Sequence, residues 1–419
     1  MREIPVPIAP DTLLDACTVR GLRIRATGRP GGRGKAPPAW QLRWPDRAGA
    51  LEVIETPDGA MVRIAANRDG GWAHGFAKRL ARTLADEAAR HAGRIEVLRP
   101  RVLVVVHDPI VDARSGRRLV AQMGWHDPDA LVAQYIDDVA AASHGLVRYE
   151  VVERRDAPWF PPKRDGFRYT PDDYLARWRR RDMHQPDAID YPAQLKAFDL
   201  VRRWERDEID EVWFLTFPYA GDWESTMVGR DAFWCNSPPV AGTGACSGRF
   251  VLMGFNYERD VGCMLENLGH RVESMMDRVW RRHTGERNLW HRFIRTDLTH
   301  PGRAECGNVH FAPNSARDYD WGNPRPVPSY CDDWLAFPRY AAAGADFRDD
   351  DGRAEVGSGA KRVADPPARP RIVDHREWGG GDMRAHHVWW LSHLPHVAGE
   401  TDGVANHWWP YVVDPNRVP

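Results

Sequence analysis

RFVLMGFNYERDVGCMLENLGHRVESMMDRVW, residues 249–280, changes its periodicity partway along, and that change decides the fold. Arg249 to Phe255 is a short apolar run that reads as a buried strand, whereas from about Glu258 the apolar residues recur at helical spacing. A strand therefore feeds directly into a helix. At 100° per residue, Val261, Met264, Leu268, Val272, Met275 and Val279 share one side of that helix, the side that should pack on a sheet. Glu266, His270, Glu273 and Asp277 share the opposite side, with no Lys or Arg in their stripe. If both are ionised, Glu273 above Asp277 repels it by roughly 0.2–0.5 kcal/mol, a conflict that a bound cation removes.

Two readings of the stripe compete. It is a solvated polar face, with Arg271, Arg278 and Arg281 close enough to soften its charge. Alternatively it is a metal site, because an acid and a His four residues apart on one helix face can hold the same divalent ion.

Outward from this stretch, residues 96–300 alternate strand and helix signals, which predicts an α/β core domain: a mainly parallel sheet with crossover helices. Val102 to Val106 is a β-branched run suited to a central strand, and Leu146 to Glu153, Glu211 to Phe217 and Phe250 to Phe255 follow as further strands. Asp129 to Ala142 and Gln194 to Arg206 read as helices. Ligands collect beyond the carboxyl ends of strands in such sheets, and those ends carry His107 and Asp108, Asp222 and Glu224, and Asn256 and Glu258. Residues 157–185 interrupt the alternation with aromatic, Pro and charged residues, as a lid over the strand ends or a connection pinned by its aromatics.

Residues 1–95 read as a small N-terminal α+β module. Its strand candidates are Gly21 to Ala26, Gln41 to Trp44, and Leu51 to Thr56 paired with Ala60 to Ala65 across Pro57-Asp58-Gly59; a helix at His74 to His91 closes it. A Gly- and Pro-rich loop, RPGGRGKAPP, separates the first two strands. Residues 301–419 form an irregular, aromatic-rich C-terminal segment. Within it residues 344–371 are too poor in large apolar residues to be a core element, but HHVWW (386–390) and NHWWPY (406–411) are apolar enough to dock on the core.

Composition bounds the function. Lys plus Arg (58) nearly cancels Asp plus Glu (59), so no charge field argues for nucleic acid or a membrane surface, and no apolar run is long enough to span a bilayer. The N-terminus lacks the pattern of a secretory signal, so a cytoplasmic location is expected. The six Cys residues form no CxxC pair and are read as free buried thiols, with Cys235 and Cys246 as the pair that could bridge. GxSxG, a Walker phosphate loop and a GxGxxG following a strand are all absent, and Cys263 lies in an acidic helix unsuited to a nucleophilic thiol. Nineteen Trp residues admit two uses, core packing or stacking on sugar rings.

The runs MGFNYERDVGCMLENLGHRVESM, CGNVHFAPNSARDYDW, HHVWWLSHLP and NHWWPYVVDP resemble a group of uncharacterised bacterial proteins, a resemblance that implies no activity. Glu266-Asn267-Leu268-Gly269-His270 is similar to the HExxH helix of zinc metallopeptidases, where two His bind zinc and the intervening Glu activates water. Here Glu266 stands at the position of the first His, and Asn267, which cannot act as a general base, stands at that of the catalytic Glu.

The leading expectation is a metal-assisted hydrolase, peptidase-like, with its site between the strand ends and the 258–280 helix. Glu266 and His270 are expected as ligands of a divalent metal, zinc first, Glu273 as a third ligand or an orienter, and His310 as a ligand from the following segment. Glu258 or Glu224 is the expected general base, and the substrate a small molecule, a peptide or a sugar. Two alternatives remain: a glycoside-processing enzyme using a carboxylate pair from Glu224, Glu258 and Glu266, and a non-enzymatic protein that binds carbohydrate or a partner.

Overall fold

Strands and helices alternate through the middle of the computed structural model, which describes residues 2–6, 8–19, 22–27, 37–44, 50–64, 72–91, 95, 97–335, 337 and 370–419. The chain has an α/β architecture. In the N-terminal part, β1 (Arg2–Val6), β2 (Arg23–Ala26), β3 (Ala39–Arg43), β4 (Leu51–Thr56) and β5 (Gly59–Ile64) form one antiparallel sheet in the order β1-β5-β4-β3-β2. Helices α1 (Pro10–Val19) and α2 (Trp72–His91) accompany it. The β4–β5 hairpin turns where Pro57-Asp58-Gly59 predicts. Gly59 has φ +134°, and a Cβ there would lie 2.6 Å from the Val6 carbonyl oxygen. β1 and α1 were not anticipated: β1 is short, contains a proline, and gains its meaning from pairing with β5, far along the chain. Most of the RPGGRGKAPP loop and of the 344–371 segment lies outside the described residues.

The core sheet comprises β6 (Arg101–Val106), β7 (Glu150–Asp156), β8 (Glu211–Thr216), β9 (Ser225–Gly229) and β10 (Arg249–Asn256), in the order β9-β10-β8-β6-β7. Four adjacent strands of it, β10-β8-β6-β7, are parallel, with Val212 opposite Leu252 on one side and Leu103 on the other. β9 pairs antiparallel with β10, and the N-terminal sheet is antiparallel throughout, so the expected mainly parallel character belongs to those four strands and the core sheet as a whole is mixed. β7 begins four residues beyond the expected Leu146 because it is an edge strand, largely exposed, whose sequence carries little apolar signal. The single helix expected at Gln194 to Arg206 is two, Tyr191–Ala197 and Leu200–Glu205, broken at Asp199, where the backbone turns left-handed at φ 55°.

Helices α3 (Pro128–Ala142), α4 (Val261–Trp280), α5 (Met383–Ser392) and α6 (Trp409–Val413) build the layer that carries the site. α4 starts at Val261 because the Asp260 carboxylate caps it, accepting from the Gly262 amide at 2.9 Å. Its apolar side is buried, Leu268, Val272 and Met275 completely, and α3, α5 and α6 pack around it. The C-terminal Trp residues lock this layer together. Trp408 meets Trp280, Trp290 and Phe293 at ring separations of 5.9, 6.2 and 5.8 Å, and Trp390 meets Trp290 and Phe293 at 6.3 and 5.9 Å. Most Trp residues are therefore core, with Trp159, Trp223 and Trp234 the exposed ones among the described residues. Phe160, Tyr169 and Tyr174 pin the 157–185 segment by the same means. No described helix is long and apolar enough to cross a membrane.

Candidate metal centre

The polar stripe of α4 divides. Glu266 is buried and His270 and Glu273 are partly buried under residues 306–311, while Asp277 stays exposed and accepts instead from the Trp290 indole at 2.7 Å. Gly269 lets the covering segment come this close: a Cβ there would lie 2.5 Å from Val309 Cγ2. Two bonds from α5 hold the segment down. His387 Nε2 donates to the Val309 carbonyl at 3.1 Å, and Trp390 Nε1 donates to the Gly307 carbonyl at 2.9 Å.

This clamp brings His310 onto the helix stripe. His310 Nε2 lies 3.1 Å from Glu266 Oε1, and the His270 and His310 rings meet edge to face at 4.8 Å. One ligand atom from each of Glu266, His270 and His310 can be chosen so that all three lie within 4.8 Å of one another. A tetrahedral zinc with ligands at ~2.0–2.2 Å separates its donors by roughly 3.4 Å, so closing around an ion takes a shift of about 1 Å. The other nitrogen of each imidazole is already committed to an acid. His270 Nδ1 donates to Glu273 Oε2 at 3.0 Å, and His310 Nδ1 faces Asp318 Oδ1 at 3.0 Å. Carboxylates on both Nδ1 atoms fix the tautomers that leave each Nε2 lone pair for a cation.

The electrostatics agree with the geometry. Hydrogen bonding to Glu266 raises the His310 pKa, against burial; burial works against protonated His270, but Glu273, Glu224 and Glu266 together outweigh it and raise that pKa as well. Burial presses the Glu266 pKa upward, yet His310 and His387 bring it below the usual range. Acidic neighbours thus favour positive charge on both imidazoles, the kind of charge that a bound cation would also supply.

The structure brings Glu224 to the same place and leaves Glu258 outside it. Glu224 Oε2 lies 3.8 Å from His270 Nε2 and accepts from the Asn236 side chain, and burial raises its pKa. Glu224 and Glu266 line one cavity of about 350 Å³ at the carboxyl ends of β8 and β10, together with Asp222, Asn256 and Asn267, whereas Glu258 is absent from its walls. Asn267 donates to the Gly254 carbonyl at 2.7 Å, anchoring α4 to β10. His107, at the end of β6, is buried structure: Gln194 binds its Nε2 at 2.9 Å, and burial pushes its pKa down to about 4. Asp108 there caps the next short helix through the Val120 amide. No disulfide joins any of the six Cys, and burial pushes Cys263 up to about 12.

Sequence reasoning missed Asn236, Asp318 and Tyr319. The Tyr319 hydroxyl lies 3.1 Å from His310 Nε2, and the Tyr319 amide donates to the His310 carbonyl, closing a loop that returns both residues to the histidine. Their nearness to His310 in CGNVHFAPNSARDYDW was the available signal; the loop closure that uses it has no periodicity to read. A second cluster, Cys331, Asp332 and His393, has ligand atoms equally close, but Arg371 already pairs with Asp332 at 2.8 Å. Compared with protein-family models, with curated proteins and with solved structures, the chain matches none of them.

Proposed function

We propose that Glu266, His270 and His310 hold one divalent ion, zinc in the first instance, and that the protein is a metal-dependent hydrolase. The observation that carries this reading is the pair of carboxylates, Glu273 and Asp318, on the two histidine Nδ1 atoms, which leaves His310 Nε2 3.1 Å from Glu266 and His270 Nε2 3.8 Å from Glu224. A solvated helix face has no need of that arrangement. Glu273 is then the orienter of His270, and Glu224 is the general base in place of Glu258. A bound zinc supplies Lewis acidity and lowers the pKa of a coordinated water toward 7. Glu224, half-buried and with its pKa raised by burial, would be the residue to accept a proton there, and the Tyr319 hydroxyl, 3.1 Å from His310 Nε2, would stand as a donor beside the site.

Elemental analysis and zinc titration of purified protein test the proposal. About one zinc per chain is expected in the wild type and none in His270→Ala or His310→Ala, with circular dichroism unchanged because neither side chain lies in the apolar core. Wild-type protein that binds no divalent ion, or a His270→Ala variant that binds it as tightly, overturns the reading. Hydrolysis that survives chelation points to the carboxylate-pair alternative.

A further inference from the structure

The cavity beside the proposed metal centre has features that metal binding leaves unexplained. Its wall includes the loop Asp222-Trp223-Glu224, between β8 and β9. The backbone of this loop is pinned on both sides of the Trp223 ring: the Trp223 amide donates to the Tyr191 hydroxyl at 2.8 Å, and the Gly254 amide donates to the Glu224 carbonyl at 3.1 Å. Gly254 in β10 makes this approach possible, since a Cβ there would sit 2.4 Å from the Trp223 carbonyl oxygen and 2.7 Å from Asp222 Cβ. Yet the Trp223 side chain, on this rigid mount, is 50% exposed, and Trp234, two residues before the Asn236 that holds Glu224, is 59% exposed. A protein that buries most of its indoles leaves these two in water beside its most elaborate polar cluster.

The polar groups of the cavity are mainly acceptors. Asp222 has both carboxylate oxygens buried with no donor in full hydrogen-bond geometry, and burial pushes its pKa up to about 7, with the Thr216 hydroxyl and the Lys163 charge pulling the other way only in part. Asp187 is spoken for by Lys163 at 2.5 Å, and Arg259 is the one Lys or Arg on the wall among the described residues. The arrangement calls for a ligand that offers an apolar face to an indole and hydroxyl donors to carboxylates, without negative charge of its own. A neutral sugar ring meets all three requirements, because its axial C–H face stacks on the indole while its equatorial hydroxyls point outward to acceptors.

We propose that this cavity is a carbohydrate subsite in which a neutral sugar ring stacks on Trp223 and ring hydroxyls donate to Asp222 and Glu224. As the recognition site of a hydrolase it rests on the metal-centre reading and gives that reading its substrate class. As a binding site it stands on its own residues.

Titration calorimetry of the full-length protein with cellotetraose, xylotetraose, chitotetraose and tetragalacturonate tests it. At least one of the three neutral oligosaccharides should bind saturably, and Trp223→Ala should weaken that binding at least tenfold. Tetragalacturonate should bind more weakly than the neutral sugars, since the Glu266 and Glu224 carboxylates repel it. The subsite is overturned if no neutral oligosaccharide binds, if Trp223→Ala binds like the wild type, or if a lysine-rich peptide binds in place of the sugars. The two proposals fail separately. Sugar binding in protein that takes up no zinc sinks the hydrolytic centre and leaves the subsite, and zinc uptake without sugar binding sinks the subsite alone.

Discussion

Arg271 and Glu211 form an ion pair at 2.7 Å that is closed to solvent on both sides, the one side chain 0% and the other 1% exposed. The pair joins α4 to the first residue of β8, and its remaining valences reach further: Trp213 Nε1 donates to Glu211 Oε1 at 2.6 Å and Arg271 donates to the Val413 carbonyl of α6. Removing either charge strands the other in a low-dielectric interior. Glu211→Gln and Arg271→Met should each cost about 3–5 kcal/mol in urea unfolding, with the double variant losing less than the sum of the two. Additive losses would show that the charges do not depend on each other.

The carboxylates behind the histidines give a graded prediction. Glu273→Gln and Asp318→Asn retain the three ligands but weaken the acceptor on each Nδ1–H, so zinc affinity measured by chelator competition should fall about 10- to 100-fold rather than vanish. An affinity equal to the wild type would make Glu273 and Asp318 bystanders.

Gly269→Ala tests whether the covering segment is held at contact distance. The added methyl meets Val309 Cγ2 at 2.5 Å, so the variant should lose about 1–3 kcal/mol of stability and bind zinc more weakly as His310 is displaced. Val309→Ala in the same background removes the colliding methyl and should recover zinc binding. If the double variant binds no better than Gly269→Ala alone, the steric account fails.

Acid should destabilise the metal-free protein from within its core. Burial pushes His107 and His393 down to about 4, each with one ring nitrogen bonded to a neighbour's carbonyl, Trp159 for His107 and Trp389 for His393. The unfolded chain takes up these protons near pH 6.5, whereas the folded chain resists until about pH 4. Between those values the unfolded state holds more protons, so stability falls as pH falls through the window and is flat above it with respect to these groups. The loss is at most roughly 3 kcal/mol per histidine. Urea midpoints at pH 7.5, 6.0 and 4.5 check the slope, and His393→Gln should flatten it.

Periodicity carried the elements that contact a core along their whole length. Val102 to Val106 and α4 were legible because burial forces an apolar pattern on them. β1 and β9 were not, since a short strand at a sheet's edge owes its existence to a partner elsewhere in the chain. The site divided the same way. Glu266, His270 and Glu273 were visible as one helix face, and His310 as a ligand from the following segment, but their meeting depends on Gly269 being small and on the bonds from α5 to Val309 and Gly307. Arg271 was misplaced beside the stripe. Three residues beyond Leu268, it lies toward the core, and only the acid waiting at Glu211 makes that position tolerable for a guanidinium.

The hold that α5 has on the His310 segment also sets an order of events. His310 is brought onto α4 by bonds from His387 and Trp390 to the carbonyls of Val309 and Gly307, and those two residues are made long after the helix they help to complete. During synthesis Glu266, His270 and His310 are all made before residues 383–392, so a chain that stops short of those residues lacks both bonds that hold the His310 segment down. On the proposed reading, the means to hold an ion there would thus arrive late, when residues 383–392 emerge, and a prematurely terminated chain would carry the three ligands without the clamp that brings them together.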